Sequence, residues 1–252
     1  MRPVRPAVYE GCPAAALVAA AVPGRVVPTS WGVRDAVIAL VGAFLLALAG
    51  AIVALEMGVL GSGADLVLGT LVPWIVMAGW PLWIVHRRGN GPRIDLGLRL
   101  SWSDLGWGLL GGVAALVLGS LAAALTTLWV GDFDSAAGDV AREIAESGAA
   151  WLLVLFAVLV VVGAPFVEEL VFRGLLWAGL RRRGWSAWVT GVVTTLAFAL
   201  FHLEIKRILV LAVVAAVLAV LRQRTAALGA PMVAHAVNNL PGAIAMVALA
   251  SG

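Results

Sequence analysis

The sequence has few charged residues and a single cysteine, and these two shortages exclude several classes of protein. Charged residues make up 12% of the 252 positions, against about a quarter in an average soluble domain. Too little polar surface is therefore present to cover a water-soluble fold. The lone Cys12 excludes a disulfide framework and a cysteine-rich metal site. The basic residues form no stripe interleaved with aromatics, so we expect no nucleic-acid partner.

The chain also lacks a long polar linker, and apolar segments dominate it. Hydrophobic residues make up 62% of the positions. A membrane-spanning helix needs about 20 mostly apolar residues. Such segments lie at 34–57, 66–86, 104–130, 149–170, 186–203, 207–221 and 229–250. The sequence predicts an all-α, polytopic transmembrane helical bundle of about seven spans in the cell membrane, surrounded by the lipid bilayer.

The basic residues predict an orientation for this bundle. Arginines occur in the N-terminal arm and in the second, fourth and sixth loops, whereas the first loop has none and the third loop is acidic. Cytoplasmic loops carry an excess of Lys and Arg. We therefore expect a cytoplasmic N-terminus. Residues 1–30 are predicted to be a poorly ordered extension, 31–148 the N-terminal transmembrane helices, and 149–252 a helical core that carries the chemistry.

Five ionisable side chains fall inside apolar segments of this core, namely Glu168, Glu169, Arg173, His202 and His235. Ionisable groups are costly in a membrane, and such residues are functional-site candidates by default. Glu169 and Arg173 are four residues apart on one helix face and are predicted to form an ion pair. Glu168 points about 100° away. It is therefore left for a ligand, a metal or a water.

Spacing predicts that these groups meet. Glu168 lies about 15 residues before the turn at 181–184, and His202 about 18 residues after it, so an antiparallel hairpin places both at similar depth. His235 shares a helix face with Asn239, and Asn238 competes for that face.

Two kinds of hydrolase chemistry fit this set. A carboxylate and an imidazole can hold a water and remove its proton, while His235 and Asn239 donate hydrogen bonds to an oxyanion. Alternatively, Glu168, His202 and His235 form a three-ligand zinc set with an open fourth position. No serine or cysteine is placed to act as a nucleophile beside these histidines.

Three motifs in this order resemble the CPBP family. They are Glu168-Glu169-x-x-x-Arg173, Phe198-x-x-x-His202 and His235-x-x-x-Asn239, and the similarity covers roughly residues 150–242. The family contains the type II CAAX prenyl endopeptidases and bacterial bacteriocin-processing or immunity-associated membrane proteases.

The resemblance implies a catalytic core at 149–252 that acts as an intramembrane protease on a membrane-associated protein or peptide. It implies that Glu168 and His202 activate water, that His235 and Asn239 stabilise the oxyanion, and that Glu169 and Arg173 support the site. Both a metal-dependent and a metal-free glutamate mechanism are argued for this family. The candidate ligands of a divalent metal such as zinc are Glu168, His202 and His235.

Two other functions remain open from the sequence. One is a non-catalytic membrane scaffold or bacteriocin-immunity factor that retains the site. The other is a proton-coupled transporter that uses a Glu/His relay, although the paired broken helices of such folds are not evident. Because the three motifs need one depth, we also expect the hairpin to extend into the cytoplasm, with a cavity that opens to that side.

Overall fold

A computed structural model describes residues 29–249 of the chain, and within these residues it contains nine helices. The predicted extension over 1–30 and Cys12 therefore lie outside the described residues, except for positions 29 and 30. The helices are α1 Val33–Glu56, α2 Gly63–Arg88, α3 Pro92–Asp95, α4 Trp102–Val130, α5 Ala136–Glu146, α6 Ala150–Arg182, α7 Ala187–Phe201, α8 Ile208–Thr225 and α9 Gly229–Leu249.

The predicted all-α membrane bundle is confirmed. Four helices, α1, α2, α4 and α6, are long and apolar enough to cross a membrane. Many of the large apolar side chains of α1 and α4 are exposed along the length of these helices, as expected for helices in contact with lipid. The chain is a multi-pass membrane protein. The remaining three predicted spans coincide with α7, α8 and α9, and the total of seven spans stays a prediction, as does the division at residue 148.

The helix α6 is longer and less regular than the segment predicted at 149–170. It runs for 33 residues and contains two π-helical segments, Leu159–Gly163 and Leu170–Leu176, on either side of Ala164–Glu169. Single π-helical turns inside α-helices are frequent at functional sites. Pro165 follows the first segment and has no N–H to donate to a carbonyl of the preceding turn. Glu168 and Glu169 thus lie between two widened turns.

The helices α4 and α9 approach each other closely through glycines of α4. A Cβ atom built on Gly108 or Gly112 would lie 2.5 Å from the Cβ of Val233 or Val237, respectively. Small residues permit such close approach of membrane helices. A Cβ atom built on Gly106 would have no neighbour within 4 Å, so this glycine is not needed for the close packing. The close packing fixes the helix that carries His235.

Candidate active site

Glu168 lies between the two membrane-embedded histidines. Its Oε2 atom is 3.9 Å from His202 Nε2 and 3.8 Å from His235 Nε2. The three side chains come from α6, from the residue that follows α7, and from α9. The Glu168 side chain is 15% exposed, and its Oε2 atom accepts no hydrogen bond from the protein. The structure therefore brings together the three residues that the sequence singled out.

Hydrogen bonds at the Nδ1 atoms orient both imidazole rings. His202 Nδ1 lies 2.8 Å from the carbonyl oxygen of Phe198, which can only accept, so Nδ1 carries the proton of this bond. His235 Nδ1 lies 3.2 Å from Glu169 Oε1. With both Nδ1 atoms engaged, both Nε2 atoms point to Glu168. The ring of Phe198 packs against both imidazoles, with centroid distances of 4.5 Å to His202 and 5.7 Å to His235.

The predicted ion pair of Glu169 and Arg173 is present. Arg173 Nη1 donates to Glu169 Oε1 over 2.9 Å, and both side chains are fully buried. Arg173 Nη2 also donates to the carbonyl oxygen of Ala215 on α8, over 2.8 Å. The pairing offsets part of the cost of burying two charges. It also holds Glu169 where it accepts a hydrogen bond from His235.

Arg222 is a part of this network that the sequence did not reveal. Its side chain is buried, and it donates from Nε to the carbonyl oxygen of Arg173 over 2.8 Å and from Nη2 to that of Leu96 over 3.0 Å. The sequence assigns Arg222 to a basic loop, because nothing in its local pattern distinguishes a buried arginine from an exposed one. Arg222 ties the second π-helical segment of α6 to the end of α8.

Asn239 faces the same cavity and contacts the first π-helical segment. Its Nδ2 donates to the carbonyl oxygen of Val160 over 2.9 Å. Its Oδ1 accepts from Asn238 Nδ2 over 3.3 Å. An amide nitrogen carries two hydrogens, so Asn239 can offer a second one to a ligand. The two bonds fix which end of the amide is the donor.

A cavity of about 570 Å³ contains these groups. Besides Glu168, His202, His235 and both asparagines, its walls include Ser135 before α5, three α5 residues and two residues after α7. The α5 residues are Ala136, Ala137 and Val140, and the residues after α7 are Glu204 and Arg207. Glu204 Oε2 accepts from the first N–H of α5, that of Ala136, over 3.0 Å and from Arg207 Nη1 over 2.7 Å. This wall is not evident from the sequence, because the α5 segment is amphipathic and polar overall, which is typical of a helix in a surface loop.

The direction of the cavity differs from the expectation. We expected a cavity that opens at the end of the Arg181–Arg183 turn. The cavity instead extends from Glu168 away from that turn, toward α5 and Glu204 at the opposite end of the bundle. The hairpin of α6 and α7 need not project from the bilayer to bring the three motifs to one depth. Because α9 begins inside the bundle, His235 already lies at the depth of Glu168. The connecting residues Ala226 to Leu228 are buried.

Glu168, His202 and His235 are the candidate ligands of a divalent metal such as zinc. Tetrahedral zinc with ligands at about 2.0–2.2 Å requires donors about 3.3–3.6 Å apart, and Glu168 Oε2 is 3.8–3.9 Å from the two imidazoles. Within residues 29–249, no group of three or more His, Cys, Asp or Glu side chains is arranged to hold a metal ion. As placed, the donors lie slightly farther apart than tetrahedral zinc requires, and ligation by Glu168, His202 and His235 stays a prediction.

A bundle of membrane helices around a buried glutamate, two histidines and an asparagine defines a polytopic membrane protein with a hydrolase-like site. Residues 150–241 match the family described as type II CAAX prenyl endopeptidase Rce1-like. This match to a family of membrane endopeptidases confirms the resemblance drawn from the three motifs. No curated protein and no solved structure matches the chain.

Proposed function

We propose that the chain is an intramembrane endopeptidase that hydrolyses a peptide bond of a membrane-associated protein or peptide with a water activated by Glu168. One observation carries the proposal. Two imidazole Nε2 atoms face one buried carboxylate oxygen that has no hydrogen-bond donor from the protein. The match of residues 150–241 to a protease family supports the same reaction class.

The first step is removal of a proton from water. A water within hydrogen-bond reach of Glu168 Oε2 can also reach His202 Nε2, since these atoms are 3.9 Å apart. In the neutral ring, His202 Nε2 is an acceptor because the proton is on Nδ1. Glu168 accepts the proton as the water oxygen attacks the peptide carbonyl. His202 accepts the second hydrogen of the water and thereby orients it.

The second step is stabilisation of the oxyanion and release of the amine. His235, when it carries protons on both ring nitrogens, donates from Nδ1 to Glu169 and from Nε2 to the oxyanion. The free N–H of Asn239 supplies a second donor. The protonated Glu168 then gives its proton to the amide nitrogen as the C–N bond breaks, and the products are a carboxylate and an amine.

Cleavage of a library of membrane-tethered peptides tests this proposal. We expect Glu168→Gln to lower the cleavage rate by about 10²–10⁴-fold, the usual contribution of a general base, with unchanged yield of folded protein. Glu143→Gln is the matched control, because Glu143 is an exposed glutamate on α5. A Glu168→Gln protein that cleaves at the normal rate overturns the proposal.

A chelator arm of the same assay addresses the metal. Retained cleavage after chelation supports activation of the water by Glu168 and His202 alone. Loss of cleavage that added zinc restores would show that the reaction needs a metal, for which Glu168, His202 and His235 are the predicted ligands.

A further inference from the structure

The two ends of the bundle differ strongly in charge. One end, here called the basic end, holds the start of α4, the turn between α6 and α7, and the end of α8. Within residues 29–249 the basic end carries ten arginines and three carboxylates, whereas the opposite end, here called the acidic end, carries two arginines, one lysine and eight carboxylates. The arginines of the basic end are Arg34, Arg87, Arg88, Arg93, Arg99, Arg181, Arg182, Arg183, Arg222 and Arg224.

Contacts confirm that these arginines share one end. Arg182 donates to the carbonyl oxygen of Trp31 over 2.6 Å, which joins the end of α6 to the segment before α1. Arg99 donates to the carbonyl oxygen of Thr225 over 2.9 Å, which joins the segment before α4 to the end of α8. At the acidic end, Arg142 pairs with Asp134 over 2.8 Å. Arg207 there also has a carboxylate partner, Glu204.

Exposed tryptophans mark both membrane boundaries. Trp102 and Trp188 are 89% and 72% exposed at the basic end, and Trp129 and Trp151 are 87% and 69% exposed at the acidic end. Tryptophan is enriched at both interfaces of a membrane. The bilayer therefore covers the bundle between the two ends, and the excess of arginine places the basic end in the cytoplasm.

The catalytic cavity leads to the other end. Most of its described lining residues come from the acidic-end halves of the helices and from the loops of that end, including Ser135, Ala136, Glu204 and Arg207. Glu168 lines this cavity together with His202 and His235. A peptide that reaches Glu168 through this opening must approach from the acidic end.

We propose that the active-site cavity opens to the outer, non-cytoplasmic face of the membrane. This inference rests on the proposed function and narrows its substrates to polypeptides whose cleaved bond lies on the outer side, such as secreted or membrane-anchored segments. It replaces the expectation of a cytoplasmic opening. A protein modified and presented only in the cytoplasm cannot reach Glu168 by this route.

Cysteine labelling in intact cells tests the direction of the cavity without reference to activity. In a Cys12→Ser background, Ser103→Cys places a thiol at the basic end, Ser147→Cys places one at the acidic end, and Ala136→Cys places one in the cavity wall. All three positions are exposed, and none belongs to the proposed catalytic set.

We expect a membrane-impermeant maleimide to label Ser147→Cys and Ala136→Cys fully in intact cells and Ser103→Cys only after permeabilisation. The reverse pattern overturns the proposal. Equal labelling of Ser103→Cys and Ser147→Cys in intact cells also overturns it, because the protein then has no single orientation in the membrane.

A second measurement uses one peptide reporter anchored on either side of the membrane, in cells with the natural chain or with Glu168→Gln. We expect Glu168-dependent cleavage of the outer reporter only. Cleavage of the cytoplasmic reporter alone contradicts the outward opening. Failure to cleave either reporter counts against the proposed function, while the labelling result still decides the direction of the cavity.

Discussion

His235 Nδ1 lies 3.2 Å from Glu169 Oε1, and the same oxygen accepts a hydrogen bond from Arg173 over 2.9 Å. One carboxylate oxygen thus serves two purposes. Its bond to Arg173 compensates two buried charges within one helix, and its bond to His235 fixes a ring on another helix. The adjacent Glu168 faces the cavity instead, because successive residues of a helix point about 100° apart.

The two purposes of Glu169 can be separated by mutation. We expect Glu169→Gln to destabilise the protein by about 3–5 kcal/mol, because Arg173 remains buried without its carboxylate. In Glu169→Gln/Arg173→Met both charges are removed, and we expect most of the lost stability to return. Cleavage should stay low in the double variant, because His235 still lacks the carboxylate that orients it.

Thermal unfolding in detergent and peptide cleavage, measured on the same preparations, provide the two readouts. Recovery of both stability and cleavage in the double variant would show that Glu169 has no role in the site beyond pairing with Arg173.

Asn239 is expected to contribute to the rate and not to substrate binding. Asn239→Ala removes the amide that donates to the carbonyl oxygen of Val160 and, in the proposed mechanism, to the oxyanion. Loss of one oxyanion donor lowers kcat by about 10²–10³-fold, and we expect KM to change little. Steady-state kinetics on one cleaved peptide measures both values.

The neighbouring Asn238→Ala is the comparison. It removes only the 3.3 Å bond that orients the Asn239 amide, so a smaller loss of kcat is expected. A loss as large as that of Asn239→Ala would transfer the donor role to Asn238.

The parts of the site that the sequence predicted are those set by local geometry. The Glu169–Arg173 pair follows from their four-residue spacing on a helix, and the meeting of Glu168 with His202 follows from their similar distances to one turn. Tertiary contacts determine the rest. The burial of Arg222 depends on carbonyl oxygens of Arg173 and Leu96, which are remote in sequence.

The depth of His235 shows a second limit of counting residues. Counted at 1.5 Å per residue from the basic loop at Arg222 and Arg224, His235 would lie nearer to the membrane surface than Glu168 does. The structure resolves this because the chain folds back into the bundle before α9 begins, where Leu228 N–H donates to the carbonyl oxygen of Gly97 over 2.8 Å. A buried connection of this kind has no signature in an apolar sequence.

Pro165 is predicted to keep the carbonyl of Val160 available to Asn239. In a π-helical turn, the N–H five residues after Val160 would bond that carbonyl, and residue 165 is a proline without an N–H. Pro165→Ala supplies the missing donor, which competes with the Asn239 amide. We expect about a tenfold loss of kcat, equivalent to about 1.4 kcal/mol, in a protein that still folds.

A double variant tests this reason for the loss. If Pro165 acts through Asn239, the loss caused by Pro165→Ala should shrink in the Asn239→Ala background, because coupled residues are not additive. Equal losses in both backgrounds would mean that Pro165 acts elsewhere, for instance through the path of α6.

The glycines of α4 provide a matched pair for the packing that positions His235. Gly112→Ala adds a methyl group 2.5 Å from the Cβ of Val237, and overpacking of this kind costs about 1–3 kcal/mol. Gly106→Ala adds the same group where no atom lies within 4 Å, and alanine favours a helix over glycine by up to about 1 kcal/mol. We therefore expect Gly112→Ala to lower the midpoint of thermal unfolding and Gly106→Ala to leave it unchanged or raise it.

Since Val237 lies between His235 and Asn239 on α9, Gly112→Ala should also lose cleavage activity. Gly112→Ala/Val237→Gly removes the Cβ that the new methyl group would meet and should restore part of both properties. Equal midpoints for the two single variants would show that α4 and α9 can separate without cost.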